Sequence, residues 1–580
     1  GAQVPDDGRH SLYDLEQLQP LAEAGHLLLT PNNRLARRIK SEWDQRQVAL
    51  GHSQWRPAPV LALETWLDQC VRQALATGAI APQLVLDNQQ ALELWRQVIE
   101  RDDRCSLLQP AAAAQLAAQA RDNLLRWCVD EGTAAVEAEF ALDADCATFL
   151  HWMQQYQQRL AGAQLATRAD SYRQLLASDY RGEQPPVTLL EFDDLPPLYE
   201  RCLDLLACSW QRLDSPGDSA TGRAVAFADR RAELAAVAAW AAALHRQRPA
   251  ATIGILLADM HGDRHTLEYL LRREFDCLGE NYASLPVNFS TGIVLSRAPV
   301  VRDALRILTL AERSVPLNTV TGLLQSRFTT LDDRASDTVI KLLQHLFANG
   351  ARQLDTGQLR FAAQQVTVGE RRGLALGEAL SAVHNMRLQR ENIPPSLWVD
   401  HFLAVLDLWG WPGPGPLDSL EYQQVEQWYA VLEQFAAGDN IYGRLHVADA
   451  RQLLQRCCEA QVSQPQTADS AIQVLGPLEG AGLRFDALWL CGMQASRWPA
   501  PARPNPFLPV AMQRRLQMPH ASSDREWQFA HSLWRRYRRG TAELTASYSR
   551  QLEGVADLPS PLLAAMQHEE AGSETALPAA

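Results

Sequence analysis

Short apolar runs alternate with stretches of helical spacing along most of the chain. Leu27-Leu28-Leu29 makes His26 to Thr30 a buried strand, Pro31-Asn32-Asn33 turns the chain, and the amphipathic spacing that follows predicts a helix from Arg34 to Glu42. From Leu61 the pattern is helical, and the stretch from about Leu84 to Ser178, rich in Ala, Leu, Gln and Arg, carries few strand signals. Val187 to Leu190 reads as a second buried strand, followed by Glu191, Asp193 and Asp194 and by the helix-opening pair Pro196-Pro197. DSPGDSATG, from Asp214 to Gly222, reads as a linker. Beyond it, Val225–Phe227 and Thr252–Leu257 read as strands, with helices from Arg230 to His245 and from Arg264 to Arg273. Such alternation predicts a parallel sheet covered by helices. Ala298 to Cys458 returns to a helical pattern, broken by the turn GWPGPGP at Gly410 to Pro416. Ile472–Leu475 and Ala487–Cys491 restore strands, and a basic helix from Asp524 to Arg539 precedes a last strand, Ala542 to Tyr548.

The expected architecture is α/β, with two parallel-sheet domains each interrupted by a mostly helical insertion. Residues 1–83 and 179–213 form the first, with its insertion at 84–178; residues 214–222 are the linker. Residues 223–297 and 466–563 form the second, with its insertion at 298–465 and a tail at 564–580. A chain of 580 residues is too long for one core, which agrees with several compact units. No apolar run approaches the roughly 18 residues that span a bilayer, and Gly1 to His10 lacks a basic start and an apolar core, so a cytoplasmic protein without membrane contact is expected.

Charge narrows the chemistry. A net charge of −14 repels polyanions, so any nucleic-acid contact must come from a local basic groove. Of the 54 Lys and Arg residues only Lys40 and Lys341 are lysines. The loop Thr30-Pro31-Asn32-Asn33-Arg34 stands where a phosphate-binding loop would open a helix, yet it has no glycine, and Lys40 lies about two turns into the helix. It is therefore a degenerate nucleotide site, with no cofactor expected. Asp193 and Asp194 occupy the place of a magnesium-holding carboxylate, but with no phosphate loop opposite them they read as a solvated turn with a helix cap. The ten cysteines are scattered and read as small buried side chains. His261 and His265, near Asp259 and Asp263, have metal-ligand spacing, but His261 precedes Gly262 in an expected loop, so no metal site is assigned.

The segment Leu478-Glu479-Gly480-Ala481-Gly482-Leu483-Arg484-Phe485-Asp486, read with the layout of the whole chain, resembles the core of superfamily 1 helicases of the UvrD and RecB type. Gly482, Leu483 and Phe485 match that motif, while Ala481 stands where the family has a lysine, so Gly482 to Asp486 form a degenerate helicase motif. Phe227 to Glu233, Ile253 to Asp259, and Leu488 to Trp498-Pro499 fit the same order and are similar to AddB and RecC subunits. The opening Thr30-Pro31-Asn32 and Pro559 to Leu563 resemble proteobacterial probable DNA repair proteins. The resemblance implies two RecA-like domains of the P-loop NTPase fold, inactive as an ATPase, with DNA and a UvrD/RecB-type helicase as partners. It also implies a RecB-family nuclease module after Ala580; within the chain neither lysine has the carboxylate two residues before it that such a nuclease requires, and no catalytic residue is assigned.

Arg514, Arg515, Arg525, Arg535, Arg536, Arg538 and Arg539, with Trp534 and Tyr537, are the candidate DNA-binding residues. A charged helix whose aromatic face packs on its own domain accounts for the same residues. Two other functions remain open on the sequence: an ATP-dependent helicase whose phosphate loop lies elsewhere, and a protein scaffold that never touches DNA.

Overall fold

The computed structural model describes residues 11–102, 109–213, 222–278, 285–330, 352–365, 367–368, 371–372, 375–463 and 470–571. Lys341, most of the linker at 214–222 and the end of the tail lie outside them. The fold is α/β, and the chain divides into two compact units. One comprises Gly1–Leu86, Trp95–Thr291 and Thr467–Ala580, the other Asp87–Leu94 and Gly292–Gln466.

Two parallel sheets of the first unit, of four and seven strands, position the site. In the smaller, β1 (Leu27–Thr30) lies between β2 (Val60–Ala62) and β3 (Pro186–Leu190), and β4 (Ser209–Leu213) pairs with β3. Because both faces are covered, successive residues of β1 serve different cores: Leu28 packs with Ile39 and Trp43, Leu29 with Leu67 and Leu203. β2 and β4 escape the sequence pattern. The three residues of β2 merge with the helical spacing that starts at Leu61, and β4 is a largely exposed edge with the polar sequence SWQRL.

The larger sheet has seven strands: β5 (Arg223–Phe227), β6 (Ile253–Leu257), β7 (Val287–Phe289), β8 (Ile472–Leu475), β9 (Phe485–Cys491), β10 (Thr541–Ser549) and β11 (Gln567–Glu570). They run parallel in the order β11-β5-β10-β9-β6-β8-β7. Ile253, Ile255 and Leu257 face one core together with Trp489, while Leu256, Leu488 and Leu490 face the other. The strand expected at Ala542 to Tyr548 is not the last one. It sits inside the sheet, and Gln567–Glu570, within the segment read as a tail, adds an edge strand beyond β5. QHEE carries no apolar signal because most of the strand is exposed.

Eight helices of this unit matter here: α1 (Asn33–Ala49), α2 (Leu63–Ala76), α3 (Pro110–Arg126), α4 (Arg168–Ala177), α5 (Pro197–Leu206), α6 (Arg230–Gln247), α7 (Met260–Glu274) and α8 (Ser523–Arg539). α1 runs past the expected end at Glu42 because Ile39, Trp43 and Gln47 continue one buried stripe. α7 starts four residues before Arg264, where the Asp259 side chain accepts from the Gly262 amide. Arg121 of α3 and Asp170 of α4 form a bidentate pair at 2.8 and 2.9 Å, and Asp170 also completes a capping box with Thr167. Phe507 stacks on Phe149, 5.7 Å between ring centroids, and meets Trp152 edge-on.

The second unit is mostly helical. Its helices Pro395–Leu408 and Ser419–Ala436 pack their Trp398, Phe402, Trp428 and Phe435 inward. In the Gly410 to Pro416 turn, Trp411 is buried and its indole N–H donates to the Val300 carbonyl at 2.8 Å.

Burial opposes the charged form of Asp170, but the Arg121 guanidinium outweighs it and holds the carboxyl below its ordinary value. A depressed folded-state value means stability that is present above the unfolded value of about 3.9 and lost as pH falls through the folded one. Asp170→Asn should therefore cost roughly 3–5 kcal/mol at neutral pH, since it strands Arg121. The gap between wild type and variant in urea unfolding should close as pH falls below about 4; a constant gap would mean that the charge is not what matters.

Candidate functional site

Parallel strands send their carboxyl ends, and the loops that follow, to one edge of a sheet, which is where α/β proteins bind ligands. β1 and β3 are neighbours with Leu29 opposite Leu189, so the Thr30–Arg34 loop and the Glu191–Asp194 loop open side by side. Two further elements reach this edge from the larger sheet: the loop Gly476–Arg484 ahead of β9, and α8.

The first loop is closed on itself. Thr30 is fully buried and its hydroxyl donates to the Asn32 carbonyl at 2.7 Å. The Asn32 side chain is the N-cap of α1, accepting from the Leu35 amide at 2.9 Å, and the Thr65 hydroxyl donates to Asn33 at 2.8 Å. Pro31 is exposed. Arg34 pairs with Glu479.

The second loop is solvated only at its end: Asp194 is exposed, Asp193 half-buried, and Glu191 and Phe192 are buried. Glu191 is buried, holds a left-handed backbone at φ 61°, and accepts from the Tyr13 hydroxyl at 3.3 Å. Arg536 of α8 lies in the middle of this loop and donates from all three guanidinium nitrogens: Nη1 to Glu191, Nε to Asp193 at 2.6 Å, and Nη2 to the Phe192 carbonyl at 3.1 Å. Ser532 adds a 2.6 Å hydrogen bond to Asp193, and Arg525 pairs with Asp194 at 2.6 Å. Each carboxylate of the place expected for magnesium is thus bound to α8.

The segment Gly482–Asp486, read from the sequence as a degenerate helicase motif, packs against the same group. Gly482 has φ +87°, and a Cβ there would lie 2.8 Å from the Glu191 side chain, so both conformation and space demand glycine. Leu483 and Phe485 are buried in the core that also holds Trp534 and Tyr537. Arg484 reaches Asp14 at 3.4 Å, and Asp486 accepts from the Thr252 amide at 2.8 Å, tying the start of β9 to β6.

The basic segment is divided. Trp534 and Tyr537, expected as stacking candidates, are core residues, and the Tyr537 hydroxyl donates to the Pro477 carbonyl. Arg515 pairs with Glu139 at 3.2 Å, Arg525 and Arg536 with the acidic loop, and Arg550 with Glu570. Arg538 and Arg539 are half-buried. Arg514 and Arg535 are exposed, and next to Arg535 on the open face of α8 lie Trp527, 40% exposed, and His531, whose rings stack at 6.0 Å.

Sequence reasoning missed the strap Ser11–Leu18. The amides of Leu12 and Tyr13 donate to the buried Glu42 carboxylate at 2.7 and 3.0 Å, and the Leu12 carbonyl accepts from the Arg484 amide at 2.8 Å. Burial pushes Glu42 up, against the pull of those amides, and burial followed by the Glu191 charge pushes the Tyr13 phenol up. The available signal was Glu42 itself, a carboxylate seven residues after Leu35 on the apolar stripe of α1.

The carboxyl edge of the larger sheet is filled in the same way. Glu233 is fully buried, pairs with Arg230 at 2.5 Å, and accepts from the Gly492 amide and the Ser547 hydroxyl at 3.0 and 2.5 Å. Arg230 also holds Asp263, and Arg497 holds Asp259 at 2.6 Å. His261 and His265 do sit together on α7, which begins at Met260, yet both acids beside them are taken by arginines, and no group of three or more metal-ligating side chains occurs among the described residues. No described helix is long and apolar enough to cross a membrane. The sequence matches no family model and no curated protein.

Arg536→Gln should destabilise the protein by roughly 3–5 kcal/mol, because it leaves the buried Glu191 and the half-buried Asp193 without this cation. Arg536→Gln combined with Glu191→Gln should cost less than the sum of the two single changes. Gly482→Ala, which meets both the positive φ and the Glu191 side chain, should cost about 1–3 kcal/mol. Urea unfolding followed by tryptophan fluorescence measures all three; additive single changes would rule out a shared cluster.

Proposed function

We propose that this chain is the ATPase-inactive, helicase-like region of a bacterial DNA repair or recombination protein. In this reading its two sheets are RecA-like domains of the UvrD, AddB and RecC kind, and it engages DNA, a UvrD/RecB-type motor, or both. The observation that carries the proposal is the position of Arg536. In an ATP-driven relative, the loop after β1 would cradle phosphates and the acids after β3 would hold magnesium. Here Asn32 caps the first helix, and Arg536 lies among the acids, in the place where a nucleotide-bound cation would have to sit.

The consequence is mechanical. A motor opens and closes its two domains as nucleotide comes and goes; this chain joins them by a cationic side chain of its own and by the Ser11–Leu18 strap. Contact with single-stranded DNA would then fall to the face of α8 bearing Trp527, His531 and Arg535, where one exposed ring pair offers stacking and Arg535 offers phosphate neutralisation, with the exposed Arg514 as a further cation of the same segment. The commitment of Arg515, Arg525, Arg536 and Arg550 to carboxylates favours a second reading, a scaffold that holds a protein partner without touching DNA.

Equilibrium binding of a fluorescent ATP analogue with magnesium should give no saturable signal up to millimolar nucleotide; micromolar affinity abolished by changing Asn32 or Asn33 would overturn the ATPase-inactive reading. Binding of labelled single-stranded DNA should weaken by roughly 1–3 kcal/mol in Trp527→Ala. Arg514→Gln with Arg535→Gln should lower the slope of log affinity against log salt by about 0.7 for each phosphate that is no longer neutralised. Wild-type protein that does not bind DNA at low salt would leave the scaffold reading in place.

A further inference from the structure

Between Glu391 and Gly443 the chain has eight carboxylates and no lysine or arginine in 53 residues. This stretch builds the paired helices Pro395–Leu408 and Ser419–Ala436 of the second unit. Glu421 pairs with Arg327, Asp418 caps its helix, and Asp439 accepts from Ser396. Asp400, Asp407, Glu426 and Glu433 are instead exposed along the outer faces. Large apolar side chains are interleaved with them. Leu397, Leu403 and Leu408 are 47, 37 and 46% exposed on the first helix; Tyr422 and Tyr429, one heptad apart on the second, are 60 and 41% exposed.

We infer that this outer face is a docking surface for a basic, amphipathic helix of another protein. Exposed apolar side chains rimmed by charge on two packed helices mark an interaction site, and carboxylates interleaved with them along each helix select a partner whose own apolar ridge is flanked by lysine or arginine. Charge decides between occupants. Nucleic acid and anionic lipid surfaces are repelled by a face with exposed carboxylates and no lysine or arginine on either helix. A second copy docked through the same patch by a two-fold axis would set Asp400, Asp407, Glu426 and Glu433 against themselves. The inference rests on charge and exposure in the second unit alone, so it stands or falls separately from the ATPase-inactive reading.

The test uses the full chain and a fluorescein-labelled synthetic helix with leucines at i, i+4 and i+7 flanked by lysines and arginines. Two control peptides are a scramble of equal charge and a version with glutamates in place of the cations. Anisotropy titrations should show saturable binding of the first peptide only, weakened by salt, and reduced about ten-fold or more in the variant Asp400→Lys, Asp407→Lys, Glu426→Lys, Glu433→Lys. Leu403→Ser with Tyr422→Ser and Tyr429→Ser should reduce it similarly while thermal melts stay unchanged. Carbodiimide coupling of peptide lysines to carboxylates, read by mass spectrometry, should map to those four acids; the chain's own lysines are only Lys40 and Lys341, so self-coupling is rare. Equal binding of the scramble, coupling elsewhere, or no binding of the first peptide overturns the proposal. So does oligonucleotide binding, or self-association by sedimentation, that disappears in the four-acid variant.

Discussion

A guanidinium removed from water must be surrounded by acceptors, and Arg536 meets that requirement with groups contributed by a different sheet. Its partners Glu191, Phe192 and Asp193 follow β3 of the smaller sheet, while α8 leads into β10 of the larger. The rest of the site is arranged around this pairing. Glu191 adopts a left-handed backbone that an unbranched acid tolerates at some cost, and the cation together with the Tyr13 hydroxyl holds it there. Gly482 lacks a side chain because the Glu191 carboxylate occupies the space where one would go. Leu483, Trp534 and Tyr537 are buried together in the core beside the cluster.

The same device appears twice. At the carboxyl edge of the larger sheet Arg230 bridges Glu233 and Asp263, and Gly492, with φ +74°, leaves room for that guanidinium as Gly482 does for Glu191. A parallel sheet exposes amides and helix N-termini at this edge, which leaves a ligand-shaped deficit of negative charge or hydrogen bonds. The chain fills both edges with its own buried ion pairs. Such pairs contribute little net stability but fix geometry, since breaking one strands a charge. An arrangement of this kind favours one fixed position of the two sheets over a cycle of opening and closing.

Much of the frame was readable from the residues. The central strands announce themselves as short apolar runs because parallel strands are buried on both faces, and the Asn32 cap and the missing glycines of the first loop are local chemistry. What escaped was non-local, exposed, or, like the three-residue strands β2 and β7, too short to stand out. β4 and β11 lie at sheet edges and carry polar sequences, so periodicity has nothing to register. Trp534 and Tyr537 look alike in a basic helix whether they face a base or a core; only the position of α8 against the loop at Pro477 decides it. The partners of Asp193 and Asp194 lie more than 300 residues away, and no spacing rule reaches that far.

The strand order of the larger sheet also constrains how a ribosome can make this protein. β6, with Ile253, Ile255 and Leu257, takes β8 and β9 as its neighbours, which lie roughly 200 residues further along; β5 waits longer still for β10 and β11. At a synthesis rate of roughly 5–20 residues per second, β6 stays without these neighbours on the nascent chain for on the order of ten to forty seconds and β5 without its own for on the order of fifteen to seventy. Throughout that interval the half-made sheet presents unpaired strand edges to its surroundings, so the sheet closes only once its last strands have emerged.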